Sequence, residues 1–460
     1  MPQRLNNEMK LYLLYFLVAT LGGAVRKWVT DSGVASNIVL LVQMLVPFLT
    51  YYFRSPKSNS PFEKFNILYF YFGYLAFHII YPLQLTFFHG IFGVIIHGGF
   101  WLLLFYYLAN RHLFEPNKLM KVFFIIGITE VVLGFIQYQL PTDHFLNRYA
   151  NPEIIKNVAI VGDKVRITGT FSYLSGYTAY LLFAAMLVWA LIRLKYQPWI
   201  VITATICIFI TGFMTGSRTA TVMNIVILVP IFIQEYSLKL VTAVAGRLII
   251  PLAIVVMVGL VFTKIPVVDQ VGKAYDNFMG RVETNRKSGE ESSRFTGDFD
   301  YIQRANFQHP IFGVGLGSTY QGATFLFGTS PYVLEFGYAE SELIRVTLEG
   351  GIVILILKLI LSVILVRNLV ITGLARWVVF FTFYLFNPIV FNVHNAAFIA
   401  MGIILVDNII WREGLKKWQE AMKKKEEEAA GIAVMAEEDR LELEELEAAR
   451  LTAARKAAGI

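Results

Sequence analysis

Apolar residues in this chain come in long runs with few interruptions. Stretches such as "LYLLYFLVATLGGAV", "FNILYFYFGYLAFHIIY", "VFFIIGITEVVLGFI" and "RLIIPLAIVVMVGLVF" approach the ~20 residues that cross a bilayer as a helix. By that length rule the pattern predicts about twelve spans. They lie near residues 9–25, 34–53, 62–82, 88–109, 119–140, 173–193, 198–214, 219–236, 246–263, 343–366, 371–391 and 394–411. The first run has no small-residue cleavage site and ends in "RKW", so it reads as a retained helix and not as a signal peptide.

The polar interruptions are unequal. Most are short, but 141–172 and 264–342 are long, and the tail from Trp411 to Ile460 is dominated by Ala, Glu, Lys, Arg and Leu, all good helix formers. Lys423–Glu427 and Lys424–Glu428 can pair along that tail at i,i+4. The expected fold class is all-α: a polytopic integral membrane protein with about twelve transmembrane helices, a large, partly helical periplasmic loop, and a cytoplasmic C-terminal helix. Its divisions are helices one to nine in residues 1–263, the loop in 264–342, helices ten to twelve in 343–411, and the charged tail in 412–460.

Composition supports this. The 460 residues are 56% hydrophobic and 16% charged, against about 25% charged in a soluble domain. Net charge is +7, but its distribution says more than its sum. Short cytoplasmic loops retain Lys and Arg. With the N-terminus inside, the inner loops hold Arg54, Lys57 and Lys64; Arg111, Lys118 and Lys121; Arg193 and Lys195; Lys239 and Arg247; and Arg367 and Arg376, whereas the outer loop at 83–88 has none. Both termini are therefore expected in the cytoplasm. The single cysteine, Cys207, cannot form an intrachain disulfide.

Arginines also occur where this rule does not call for them: Arg26, Arg148, Arg166, Arg218, Arg281, Arg286, Arg294 and Arg304. An arginine near membrane depth needs an anionic partner, and guanidinium binds phosphate oxygens bidentately. Arg218, in the turn "TGSRTATV" between two apolar runs, is the foremost candidate, because ionisable groups within a membrane are functional candidates by default.

The loop 264–342 carries "SSRFTGDFDYIQRANFQHPIFGVGLGSTYQ". Residues 294–307 predict a helix that Pro310 ends, and Gly313, Gly315 and Gly317 then let backbone approach another element or a phosphate closely. A dinucleotide site is not indicated, since no strand precedes these glycines. Asp298 and Asp300 would point to opposite faces of a helix, so no metal site is expected. After the loop, Glu340 and Glu342 stand at the threshold of an apolar run.

The order "R…F…A…HPIFGVGLG…ESELIRVTLEGG", preceded by "SRTA" between two helices, resembles the O-antigen ligase/polymerase superfamily, and "GGAVRKWV" is similar to one branch of it. The resemblance implies a bacterial membrane glycosyltransferase using polyprenyl-diphosphate-linked sugars at the periplasmic face. Glu340 and Ser341 stand where ligase members carry His-Asn, with Glu349 and Gly351 at the later acid and glycine, which favours the polymerase branch. The implied function is polymerisation of undecaprenyl-diphosphate-linked repeat units into O-antigen or exopolysaccharide, with inversion and without metal or cofactor. The alternatives are a ligase passing glycan to lipid A core or protein, and a lipid-linked glycan transporter. Partners would be the lipid-linked donor and acceptor, membrane lipid, and a chain-length regulator or flippase, with no nucleic acid.

Glu340 is the candidate base, since partial desolvation raises a carboxyl toward the working range, and Glu342 is its rival or modulator. Arg218 and Arg294, then Arg304, Arg166 and Arg345, are the candidate diphosphate ligands, and the glycines 313, 315 and 317 the backbone near substrate. His394, in "VHN", is expected at a helix end or lining a pore.

Overall fold

Once the long apolar runs leave water, each must satisfy its own backbone, which only a helix does locally. The computed structural model describes residues 5–150, 159–161, 164–236, 266–287, 309–336, 341–381 and 388–457. Among these residues lie α1 Asn7–Ala24, running into a π-helical turn Val25–Val29, and α2 Gly33–Tyr52. Then come α3 Pro61–Lys64, α4 Ile67–Phe77, α5 Phe87–Ala109, α6 Met120–Gln139, α7 Leu174–Arg193, α8 Pro198–Thr215 and α9 Arg218–Glu235. The remainder are α10 Pro266–Lys287, α11 Gln321–Phe327, α12 Pro331–Phe336, α13 Glu342–Asn368, α14 Gly373–Phe381 and α15 Val393–Ala457. Two two-residue strands, β1 Ile160–Val161 and β2 Lys164–Val165, pair antiparallel.

Nine helices among the described residues are long and apolar enough to cross a bilayer. They match nine of the twelve expected spans. Of the other three, 62–82 forms a shorter apolar helix, Ile67–Ile80. The run 371–391 is only partly described, with α14 at its start, and 246–263 lies outside the described residues.

The chain divides into Met1–Asn408 and Ile409–Ile460. The second unit is helical through Ala457. It carries the expected surface pairs, Lys423–Glu427 at 3.6 Å and Lys424–Glu428 at 3.7 Å, and Leu441, Leu446 and Leu451 are exposed.

In the first unit α5 and α7 form the centre, both largely buried, while α2, α6, α8 and α9 bury a minority of their apolar windows. Outward residues such as Ile38, Ile125, Ile128, Val132 and Val229 suit contact with lipid chains. Interior packing rests on rings: Phe16 stands 4.7 Å from Phe123 and 5.2 Å from Phe183, and Phe398 lies 5.5 Å from Tyr180. Where lipid is as apolar as the helix surface, such close contact holds helices together.

α13 departs from expectation. The apolar run 343–366 reads as one continuous span, yet it breaks at Gly351 (φ 62°, ψ −164°). Glu342 and Lys358 are ion-paired, although a straight helix would separate residues 16 apart by about 24 Å. The chain therefore folds back at Gly350–Gly351. Contacts along α5 agree: Gly317 approaches Gly93, Glu349 bonds His97, and Glu342 shares a cavity wall with Trp101. The first limb of α13 thus runs antiparallel to α5 before the chain turns.

Candidate functional site

The break in α13 exposes backbone groups, and the "HPIFGVGLG" segment satisfies them. Val314 N–H donates to Leu348 O (2.8 Å), Gly315 N–H to Glu349 O (3.0 Å), and Ile352 N–H to Pro310 O (2.9 Å). Tyr74 Oη–H donates to Gly350 O at 2.6 Å. Only glycine fits at 351, where a Cβ would collide with the Ile311 backbone. The two motifs therefore bind each other, in a non-helical backbone whose polar groups are satisfied within the protein.

Glu349, fully buried, is the centre of this contact. Its carboxylate accepts from Gly317 N (2.8 Å), Thr319 N (2.7 Å), Thr319 Oγ1 (2.7 Å) and His97 Nε2 (2.9 Å). The three glycines expected beside substrate have positive φ, but their amides are taken up within the protein: Gly313 by His309 O, Gly315 by Glu349 O, Gly317 by the Glu349 carboxylate. Their loop fixes the next residue, Tyr320, which is 9% exposed. Burial pushes its phenol up to about 12, against the opposing pull of the Arg26 and Arg345 charges. Tyr320 thus lies within electrostatic reach of both arginines.

Arg26 comes from the π-helical turn closing α1, where Thr30 N–H bonds back five residues to Val25 O at 3.1 Å. Such turns cluster at functional sites. Arg26 Nε donates to Ser36 Oγ and its Nη1 to Ser172 Oγ, both at 2.7 Å. Ser172 ends the loop 167–172, which lies so close to α1 that a Cβ on Gly23 would clash with the backbone of residues 170–172. Phe171 of this loop packs edge-on to His394, 5.8 Å between centroids. His394 is buried at the start of α15; its Nδ1 lies 3.4 Å from Gln43 Nε2, it bonds the Ala19 backbone, and Arg26 is within electrostatic reach.

The loop's other end meets the "GSRTA" turn. Arg166 Nε donates to Thr215 O at 2.7 Å and its Nη2 to Gly216 O at 3.5 Å, so it caps α8 immediately before Ser217 caps α9 and Arg218 begins it. Arg345, on the first limb of α13, sits over the Phe391 ring at 5.0 Å. Arg26, Arg166, Arg218 and Arg345 are all half-buried.

The expected residues are thus placed unevenly. Arg166 caps the turn from which Arg218 starts α9, and Arg345 and Arg26 both lie within electrostatic reach of Tyr320. Glu342 is held by Lys358 and by the Val390 amide at 3.1 Å, so it locks the α13 hairpin to residues 388–392. Glu340, Arg294 and Arg304, and the helix expected over 294–307, lie outside the described residues. Sequence reasoning passed over Tyr320 and the cradle on Glu349; the paired glycines after Glu349 were the signal for the second. Among the described residues no group of three or more His, Cys, Asp and Glu side chains could hold a metal ion.

Comparison with protein-family models, with curated proteins and with solved structures returns no match.

Proposed function

We propose that the protein is a membrane glycosyltransferase that polymerises undecaprenyl-diphosphate-linked repeat units into O-antigen or exopolysaccharide. The motif resemblance suggests the chemistry. One observation carries the reading: Arg26 and Arg345 both act electrostatically on Tyr320, and Arg26 is bonded to Ser172 in the loop that follows Arg166, which caps the turn from which Arg218 starts α9. Arg26 is bonded to two serine hydroxyls, and no carboxylate among the described residues is bonded to it.

The reaction needs such a cluster. An acceptor hydroxyl attacks the anomeric carbon opposite the leaving group, and the carbon–oxygen bond to phosphate breaks with its electron pair on the diphosphate. Inversion follows. Charge on the departing diphosphate grows toward the transition state, so guanidinium groups aimed there lower the barrier and do not merely bind substrate. The acceptor's proton passes to a base, for which Glu340 is the candidate. In this reading the arginine end is periplasmic and both chain termini are cytoplasmic.

The test is incubation of purified protein in lipid nanodiscs with a defined undecaprenyl-diphosphate repeat unit, without metal or nucleotide. A ladder of lengths on the carrier supports polymerisation. Transfer of one finished glycan to a non-carrier acceptor supports the ligase alternative instead, and no product at all removes the transferase reading. One feature favours transport as a second reading: α13 breaks its span at Gly351 and is tied through Glu342 to the Val390 amide, and discontinuous helices occur at transporter binding sites. Movement of the lipid-linked unit between leaflets without elongation would select it.

A further inference from the structure

We infer that Lys27, acting with Glu130, is a positioning residue for Arg26. This rests on the transferase reading for what Arg26 does, but not for what Lys27 holds. The two basic residues are consecutive in the π-helical turn, yet both reach the same loop. Arg26 bonds its last residue, Ser172, while Lys27 Nζ donates to Thr168 Oγ1 at 2.9 Å and Gly169 O at 2.8 Å. Glu130 grips the loop between these points, accepting from Thr170 N at 3.1 Å and from the Thr170 hydroxyl. Lys27 and Glu130 are 1% and 0% exposed and interact electrostatically, with Arg148 also bearing on Lys27. Gly169 (φ 54°) has no room for a Cβ, which would strike Glu130 and the Tyr177 ring.

Simple cohesion does not require this amine. Gln137 already donates to Gly169 O at 3.0 Å and accepts from the amides of Thr168 and Gly169 at 3.1 and 2.8 Å, so a neutral side chain satisfies the same backbone. A buried amine is costly. Lys27 adds a rigid link from the turn that carries Arg26 to the loop that Arg26 grips. Ser172 and Phe171, which contacts His394, are held with it. The Lys27–Glu130 link therefore sets the height and angle of the Arg26 guanidinium.

The test compares the unaltered protein in nanodiscs with Lys27→Met, Glu130→Gln and the double variant. Three readouts are turnover against KM for a defined carrier-linked repeat unit, thermal stability, and the rate of Arg26 modification by phenylglyoxal, with Arg111 as internal reference. Lys27→Met is expected to lower turnover about 100-fold while KM moves less than about 3-fold, since small misplacements of a catalytic group act on the chemical step. Arg26 modification rises and Arg111 does not. The double variant, free of an uncompensated buried charge, regains thermal stability but not turnover. Recovery of both together, or unchanged Arg26 reactivity in folded Lys27→Met, overturns the inference. If Lys27→Met does not fold, Thr168→Val removes one Lys27 partner alone and is expected to raise Arg26 reactivity; no rise overturns the inference equally. If the unaltered protein elongates nothing, the transferase reading fails by itself, and Arg26 reactivity still decides whether Lys27 positions it.

Discussion

At one end of the bundle Arg111 is bonded to Asp407 at 2.9 Å and Arg193 to Glu235 at 2.7 Å. At the other, Arg26 is bonded to the hydroxyls of Ser36 and Ser172, and Arg166 to the carbonyls of Thr215 and Gly216. Both ends orient guanidinium groups with several contacts. At the first end a carboxylate stands beside each of these two cations, whereas Arg26 is oriented by two neutral hydroxyls. A cation oriented by neutral oxygens is what a developing anion needs, so the difference fits Arg26 to its proposed role and Arg111 and Arg193 to cohesion.

The comparison can be broken most sharply at Asp407, which accepts from Arg111, from Tyr107 Oη at 2.7 Å and from Val370 N at 2.6 Å. Asp407→Ala leaves buried groups unpaired and is expected to cost about 3–5 kcal/mol. Thermal denaturation in detergent and membrane abundance measure that loss. Arg26→Ala at the opposite end should do the reverse. Membrane abundance stays level while turnover falls about 10²–10³-fold, as when one preorganised donor to a developing anion is removed; loss of abundance in place of turnover would make the two ends alike.

Gly351→Ala sharpens the contrast, because the hairpin carries Arg345 into electrostatic reach of Tyr320, as Arg26 is. The backbone there is one that glycine adopts readily, and forcing alanine into it costs about 1–3 kcal/mol before any clash. Melting temperature and turnover should both drop. Tyr320 gives the smallest effect. Its phenol, pushed up to about 12 from the ordinary 10.0, keeps a proton between pH 10 and 12 that the unfolded chain releases. The folded state then binds more protons than the unfolded one, so stability is unaffected below pH 10 and falls as pH rises through that window. Melts at pH 8 to 11 should show a shallower decline for Tyr320→Phe.

Much of the fold was legible beforehand. Nine described spans cover the expected apolar runs, because transfer of a residue from water to lipid depends mainly on that residue and its near neighbours. Gly350–Gly351 marks the exception. Ile344–Leu348 and Ile352–Ile356 read as one apolar run, and hydropathy carries no information about a reversal inside it. The site was less legible. Arg166 and Arg218 were chosen from their unusual positions, and Arg166 caps the turn from which Arg218 starts α9, but Tyr320 lies between a glycine loop and a short helix and gives no local sign of two arginines nearby.

Sequence alone therefore determined the class of the protein, most of its spans, the helical character of its tail and a short register of arginines and motifs. Only the tertiary structure decided which cation meets a carboxylate and which a hydroxyl. Ser172 meets Arg26 across 146 residues and Asp407 meets Arg111 across 296. A helix span is settled by the partition of contiguous residues between two solvents, whereas the field at a site is settled by pairs of groups that the chain brings together only when folded.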